Sequence, residues 1–294
     1  MTMEPGPIRQ MTYANGIKGR GLRHQAYGAA PVARLAWTTM LNRVLASVLA
    51  IVVLATGPGG AQPLPARTFR FLSEWRVPPK NVRAFADELD KTVRPILKKS
   101  MDERTVLDYG TYTTVVEEED GTTNGYWFGI PSQAALEKVL DALGKVPPSA
   151  IADSALKHHD YLLRRELHAS RPSSGTNGYL YFNSTLIQPG KNGDWRAWWD
   201  HYQKPLYDKF LADGLITSYE IDSGEMHTMD PNMAYLIWVS PNGEALDKMN
   251  EVWIGRGASQ TAEEKRTMAT GLANVVVAGS HRDYFARALT YVSR

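Results

Sequence analysis

The chain has 294 residues, with 33 lysines and arginines against 31 aspartates and glutamates, and no cysteine. The missing cysteine excludes thiolate zinc sites, thiol nucleophiles and iron–sulfur ligation. Residues 1–61 hold Arg9, Lys18, Arg20, Arg23, Arg34 and Arg43 against Glu4 alone. Without them the formal net charge falls from +2 to −3, which removes the basic footprint that nucleic-acid binding requires.

In chain order, residues 1–39 show no apolar periodicity and are rich in Gly, Ala and Arg, which predicts a disordered leader or an over-extended gene start, with Met40 as the alternative initiator. Residues 44–55 read VLASVLAIVVLA, behind Arg43 and ahead of TGPGGAQ. This is a signal-peptide layout over 40–61, with cleavage near Ala61/Gln62. The apolar run is too short for a spanning helix, which needs about 20 residues. The expectation is an exported protein, periplasmic or secreted, without a stable membrane anchor. The 233 residues left must hold their core without disulfides, which a chain of that size can do.

The rest of the sequence is written twice. Residues 158–171, HHDYLLRRELHASR, match 281–294, HRDYFARALTYVSR, at an offset of 123, and ALEKVLDAL at 135–143 matches ALDKMNEVW at 245–253 at an offset of 110. The difference places 13 extra residues in the polar stretch between Trp253 and His281, where a fold tolerates insertion best. The copies run over 67–171 and 178–294. Each opens on a strand, TFRFLSEWRV or YLYFNSTLI, stopped by a proline-containing turn, VPPK or QPGK. A helix follows, over 81–100 or 194–213, with the stripe Phe85, Leu89, Thr92, Ile96 corresponding to Trp195, Trp199, Tyr202, Leu206. Two strands come next, at 105–116 and 124–130 or at 216–224 and 233–240, then a capped helix starting near Ala135 or Ala245. The repeated phrase is read as the closing strand of a ferredoxin-like βαββαβ sheet.

Such a sheet covers one face with helices and must bury the other. The element order and the turns Gln188-Pro189-Gly190 and Pro78-Pro79-Lys80 resemble the dimeric α+β barrel superfamily, in particular its NIPSNAP-like and EthD-like branches, whose first strand runs into a Lys-Pro-Gly turn. The resemblance covers 67–294 and implies an α+β fold in which the two repeats form a pseudo-dimeric barrel within one chain. It also implies a monomer, or a dimer joined through helices. The superfamily includes cofactor-free monooxygenases, haem-degrading and haem-dependent enzymes and muconolactone-type isomerases. The cofactor stays unknown, because no motif selects among these.

Residues shared by both copies are expected to serve the fold and residues peculiar to one copy to serve chemistry. On that rule His-x-Asp-Tyr-x-x-Arg is a hydrogen-bond set at the start of the last strand. The clearest asymmetry is Trp198 and His201, which stand where the first copy has Glu88 and Lys91; they share a helix face one turn before Pro205. Two readings stand: a proton-transfer or ligand site centred on His201, or aromatic packing against the extra C-terminal segment or a second subunit. Glu225 and His227, with Asp222 or Asp200, read as a solvated hairpin tip, with metal ligation as the lesser alternative. Phe71, Ser73 and Trp75 alternate to one side of the first strand and correspond to Tyr181, Asn183 and Thr185. That side either lines the barrel as a small-molecule pocket or packs beneath the helices. The functional expectation is binding of a small apolar or aromatic molecule in the barrel, with Trp198, Trp75, Phe71, Tyr181 and Asn183 shaping the site. The alternative is a cofactor-free or haem-linked oxidoreductase or isomerase using His201 as acid or base.

Overall fold

A computed structural model of the chain describes residues 67–116, 121–147, 149–226 and 230–294. The leader and signal-peptide expectations, on 1–61, lie outside the described residues, and so does His227. The first half contains β1 (Phe69–Arg76), α1 (Val82–Asp102), β2 (Asp108–Val116), β3 (Asn124–Ile130), α2 (Gln133–Leu143), the single turn α3 (Ala150–Asp153) and β4 (Lys157–Ser170). The second contains β5 (Ser173–Leu186), α4 (Asn192–Tyr202), α5 (Lys204–Ala212), β6 (Ser218–Gly224), β7 (Met233–Ser240), α6 (Gly243–Ser259), α7 (Ala262–Ala273) and β8 (Arg282–Ser293). Among the described residues no helix is long and apolar enough to cross a membrane.

All eight strands close into one antiparallel barrel in the order β1-β3-β2-β8-β5-β7-β6-β4. The halves repeat one another in register. Ser73 stands opposite Asp160 and Tyr126 in the first half, and Asn183 opposite Asp283 and Leu236 in the second. The sheets join edge to edge, β2 pairing with β8 and β4 with β6, so among the described residues no strand of the barrel keeps a free edge.

Local chemistry sets the boundaries. The Ser132 side chain accepts from the Ala135 amide at the start of α2, and Asn242 does the same for Ala245 at α6. Gly190 takes φ +79° in the turn after β5, a conformation that favours glycine. The extra residues of the second half extend α6 to Ser259 and then form α7, which opens on a capping box between Thr261 and Glu264.

Two details differ from expectation. The buried stripe of α1 is Phe85, Leu89, Val93 and Leu97, with Thr92 and Ile96 on its flank, because contact follows one i+4 ridge over the sheet. Its counterpart in the second half is not one helix. The chain breaks at Gln203, Pro205 opens a new helix, and Arg256 of α6 donates to the Tyr202 carbonyl at the break. Pro95, at the equivalent place, lies inside the continuous α1.

Three apolar clusters result: one between each half's sheet and its helices, and a third inside the barrel containing Leu72, Trp127, Leu163, Leu180, Ile237 and Val239.

Candidate functional site

Strand alternation decides which residues enter the barrel. On β1 the inward set is Arg70, Leu72 and Glu74, whereas Phe69, Phe71 and Trp75 join the cluster under the first half's helices. The outward side is therefore the packed one, and Phe71 and Trp75 do not line the barrel. Phe71 stacks on Phe128 at 5.0 Å, and Trp75 packs edge-on against Phe85 at 5.4 Å and face-on against His158 at 4.5 Å.

Large rings fit inside because small residues sit opposite them. A β-carbon on Gly110 would strike the Trp127 ring, one on Gly125 the Tyr112 hydroxyl, and one on Gly175 or Gly178 the Tyr291 ring. The middle of the barrel is thus filled, and polar groups collect at its two ends.

At one end a cavity of about 260 Å³ opens among Glu74, His159, Tyr161, Phe182 and Tyr284. Glu74 is only 2% exposed, and both Tyr112 and Tyr284 donate to its Oε1 at 2.5 Å. The two hydroxyls lie 3.2 Å apart, and the Tyr284 ring stacks on Phe182 at 5.0 Å. Burial pushes the Glu74 carboxyl up, against the opposing pull of the two phenols and Lys157. Burial, then the adjacent carboxyl, pushes both phenols well above the usual tyrosine range.

His159 stands directly opposite Glu74 across the β1–β4 ladder, so the two side chains are neighbours on the barrel's inner face. Burial pushes its imidazole down, with Lys157 and His158 acting the same way and Asp160 opposing. The His159 Nε2 is buried without a hydrogen-bond partner, while the ring meets Tyr161 edge-on at 4.2 Å. A carboxyl held up and an imidazole held down, opposite each other across the ladder, are each pushed by burial toward the neutral form, a pairing of a candidate acid with a candidate base.

The opposite end is a closed lattice of charge. Arg165 pairs with Asp108 at 2.8 Å and with Glu220 at 2.7 Å, and Arg70 pairs with Glu220 and, at 3.4 Å, with Asp108. All four side chains are at most 6% exposed. Burial raises the Asp108 carboxyl, but Arg165 and Arg70 together outweigh it and hold the group below its ordinary value. Asp222 lies beside the lattice and is pushed well up by burial and then by Glu220.

The other expected residues gather elsewhere or not at all. His201 is exposed on α4, with its ring edge-on to Tyr202 at 4.4 Å, and lines neither the barrel cavity nor the pocket beneath α4. Trp198 donates from Nε1 to the Met268 carbonyl of α7 at 3.0 Å, so its face packs against the extra segment. Tyr181, Asn183 and Trp198 share a pocket outside the barrel, between β5, α4 and α7. Among the described residues no group of three His, Asp or Glu side chains is placed to hold a metal ion.

The repeated phrase does anchor the last strand. His158 and Asp160 meet the Ser73 hydroxyl on β1, and Asp283 accepts from Tyr181 on β5 at 2.8 Å. Its shared tyrosines do more: Tyr161 and Tyr284 both face the cavity. Sharing between copies therefore did not separate fold from site. Glu74 and His159 were missed altogether, although the doubled histidine at 158–159 was a signal, since adjacent residues on a strand face opposite sides.

No protein-family model matches the chain, and no curated protein matches it. Two bacterial proteins provisionally described as monooxygenases have similar structures. The one from Lactobacillus acidophilus NCFM is 14% identical, over 77% of this chain and 96% of that one, with a TM-score of 0.55. The one from Fusobacterium nucleatum subsp. nucleatum is 10% identical, over 79% and 96%, with a TM-score of 0.55. At these identities the likeness is one of fold. It agrees with the α+β barrel superfamily expected from the turns and element order, and does not select a branch of it.

Proposed function

We propose that the chain binds a small apolar or aromatic molecule at the open end of its barrel. The observation that carries this reading is the Glu74 carboxyl, buried beneath two donating phenols at the base of an aromatic cavity of about 260 Å³. That volume is slightly below the roughly 300 Å³ where drug-sized pockets begin; it suits a one- or two-ring molecule. A haem macrocycle does not fit it, because Trp127, Tyr112 and Tyr291 fill the barrel behind.

The Glu74–His159 pair favours a second reading, a cofactor-free isomerase or oxidoreductase. His159 takes a proton from an acidic C–H or O–H of the ligand, and Glu74, when it carries its proton and is held by the two phenols, donates to the oxyanion that develops. The monooxygenase descriptions of the fold neighbours agree with chemistry that begins in this way. His201, exposed on α4, is replaced in that role by His159.

Fluorescence titration with 2-naphthol tests both readings, since its emission reports burial and proton loss separately. Binding with emission from the naphtholate is expected of the native chain. His159→Gln should bind the probe without promoting its proton loss, and Phe182→Trp should block binding. Native-strength binding to Phe182→Trp would defeat the barrel site, and unchanged proton loss in His159→Gln would defeat the chemistry.

We also read the two halves as ferredoxin-like repeats of one ancestral unit, 67–171 and 178–294, with a NIPSNAP-like or EthD-like branch as the nearest pattern. Export rests on residues 40–61 and is tested by the mass of the mature N terminus. A barrel closed within one chain supports a monomer, or a dimer joined through helices, in sedimentation.

A further inference from the structure

The duplication supplies a template for a second site. In the first half Trp75 lies on the outer face of the sheet, stacked on His158 at 4.5 Å and 11°, with Phe85 at 5.4 Å and Tyr126 at 5.6 Å around it. The ladders of the two halves run in the same register, so each of these positions has a counterpart. Thr185 stands where Trp75 stands, His281 answers to His158, Trp195 to Phe85 and Leu236 to Tyr126. The surroundings of an indole are kept, and the indole is missing.

The space has not collapsed. A pocket of about 270 Å³ lies there, lined by Thr185, His281, Trp195, Leu236, Trp198 and Leu272. The roof comes from α7, which the first half lacks, and the Trp198 bond to the Met268 carbonyl pins that helix in place. At the base Asn183, 7% exposed, accepts from the Thr185 hydroxyl at 3.2 Å and donates to the Arg282 carbonyl at 3.4 Å, which holds the short side chain down and out of the pocket.

We propose that this pocket binds a planar bicyclic aromatic molecule of indole size, lying on His281 as Trp75 lies on His158. It is distinct from the barrel cavity, because β5 separates them: Tyr181 and Asn183 face the pocket, Phe182 and Ser184 the barrel. The recognition is by shape and stacking, so the ligand class is set by ring size more than by polar substituents.

Indole itself is the probe, observed by saturation-transfer NMR on the full chain. Transfer to indole is expected for the native protein and for Phe182→Trp, in which the barrel cavity is blocked, and should vanish when Thr185→Trp is added to that variant, because the new side chain takes the ligand's place. His281→Ala, at an exposed position where folding is not at stake, should weaken indole binding about 2- to 10-fold by loss of the stacking partner. No transfer in the native chain would overturn the proposal. Full transfer in the folded Phe182→Trp/Thr185→Trp variant, or unchanged affinity when His281→Ala is added to Phe182→Trp, would overturn it too, and loss in Phe182→Trp alone would assign indole to the barrel mouth.

Discussion

The two ends of the barrel bury carboxyl groups in opposite ways. At one end Asp108 and Glu220 meet two guanidinium groups at ion-pair distance; at the other Glu74 meets two phenols and an imidazole without a formed ion pair. Burial pushes both Asp108 and Glu74 toward the neutral form, and what faces each of the two decides the outcome. Arginine cannot give up its charge, so Asp108 is held down and the lattice is fixed. Phenols lend only hydrogen bonds, so burial prevails and Glu74 is held up. One end of the barrel holds its carboxyl groups by ion pairs and the other holds its carboxyl by hydrogen bonds alone.

Removing one partner from the lattice breaks that contrast most severely. Arg165→Ala leaves Asp108 and Glu220 buried with too little positive charge, and should cost about 3–5 kcal/mol in urea denaturation. An equally small change in volume can be made at either end. Gly129→Ala presses a methyl group on the Asp108–Arg165 pair and Gly125→Ala presses one on the Tyr112 hydroxyl. Each should cost about 1–3 kcal/mol by overpacking, but only Gly125→Ala should also reduce binding in the barrel cavity.

Tyr284→Phe removes one donor from Glu74 and should cost about 1 kcal/mol. Because the phenols pull the carboxyl down, its titration should then move further up, as followed by carbon-13 NMR of the Glu74 side chain. Glu74→Gln should have the smallest effect on stability below the ordinary glutamate range, where the carboxyl is protonated, within about 1 kcal/mol, since amide and neutral carboxyl have the same shape. Its effect is on the pH profile. The folded chain binds the Glu74 proton more tightly than the unfolded chain, so stability is full below the ordinary glutamate range and declines as pH rises through the raised value. Asp108 has the opposite sign: its contribution is present above the ordinary aspartate range and is lost as pH falls through the lowered value. Glu74→Gln should flatten the decline that begins as pH rises out of the ordinary glutamate range, and leave the loss at low pH due to Asp108 unchanged. A native slope in the variant would assign that decline to Asp222 instead, the other carboxyl held up by burial.

The architecture was legible because its signals are local: a repeated phrase, proline and glycine turns, and Ser132 and Asn242 as caps. The site was not, and the reason is the phase of the strands. FRFLSEWR alternates clearly, but alternation separates two faces without saying which is inside. Arg70 and Glu74 have the look of a solvent face. In a closed barrel the face away from the helices is the interior, so the charged set went in and the aromatic set out. His159 was hidden by its neighbour for the same reason. The asymmetry at Trp198 was real and marked a change of packing: α7 docks on that indole, and a β-carbon at Gly271 would touch it.

The charge lattice also bears on what each half can associate with. Its arginines come from the first half, on β1 and β4, and Glu220 comes from β6 of the second, where the first half has Gly110 at the matching position. A barrel made from two first halves would confine two arginines from each copy with a single Asp108 apiece, and one made from two second halves would bury Glu220 and Asp222 with no cation from this set. Self-pairing is penalised in both directions while pairing with the other half is satisfied. The two repeats therefore behave as lock and key, and assembly of like halves from different molecules, a hazard of a duplicated fold, is discouraged by charge.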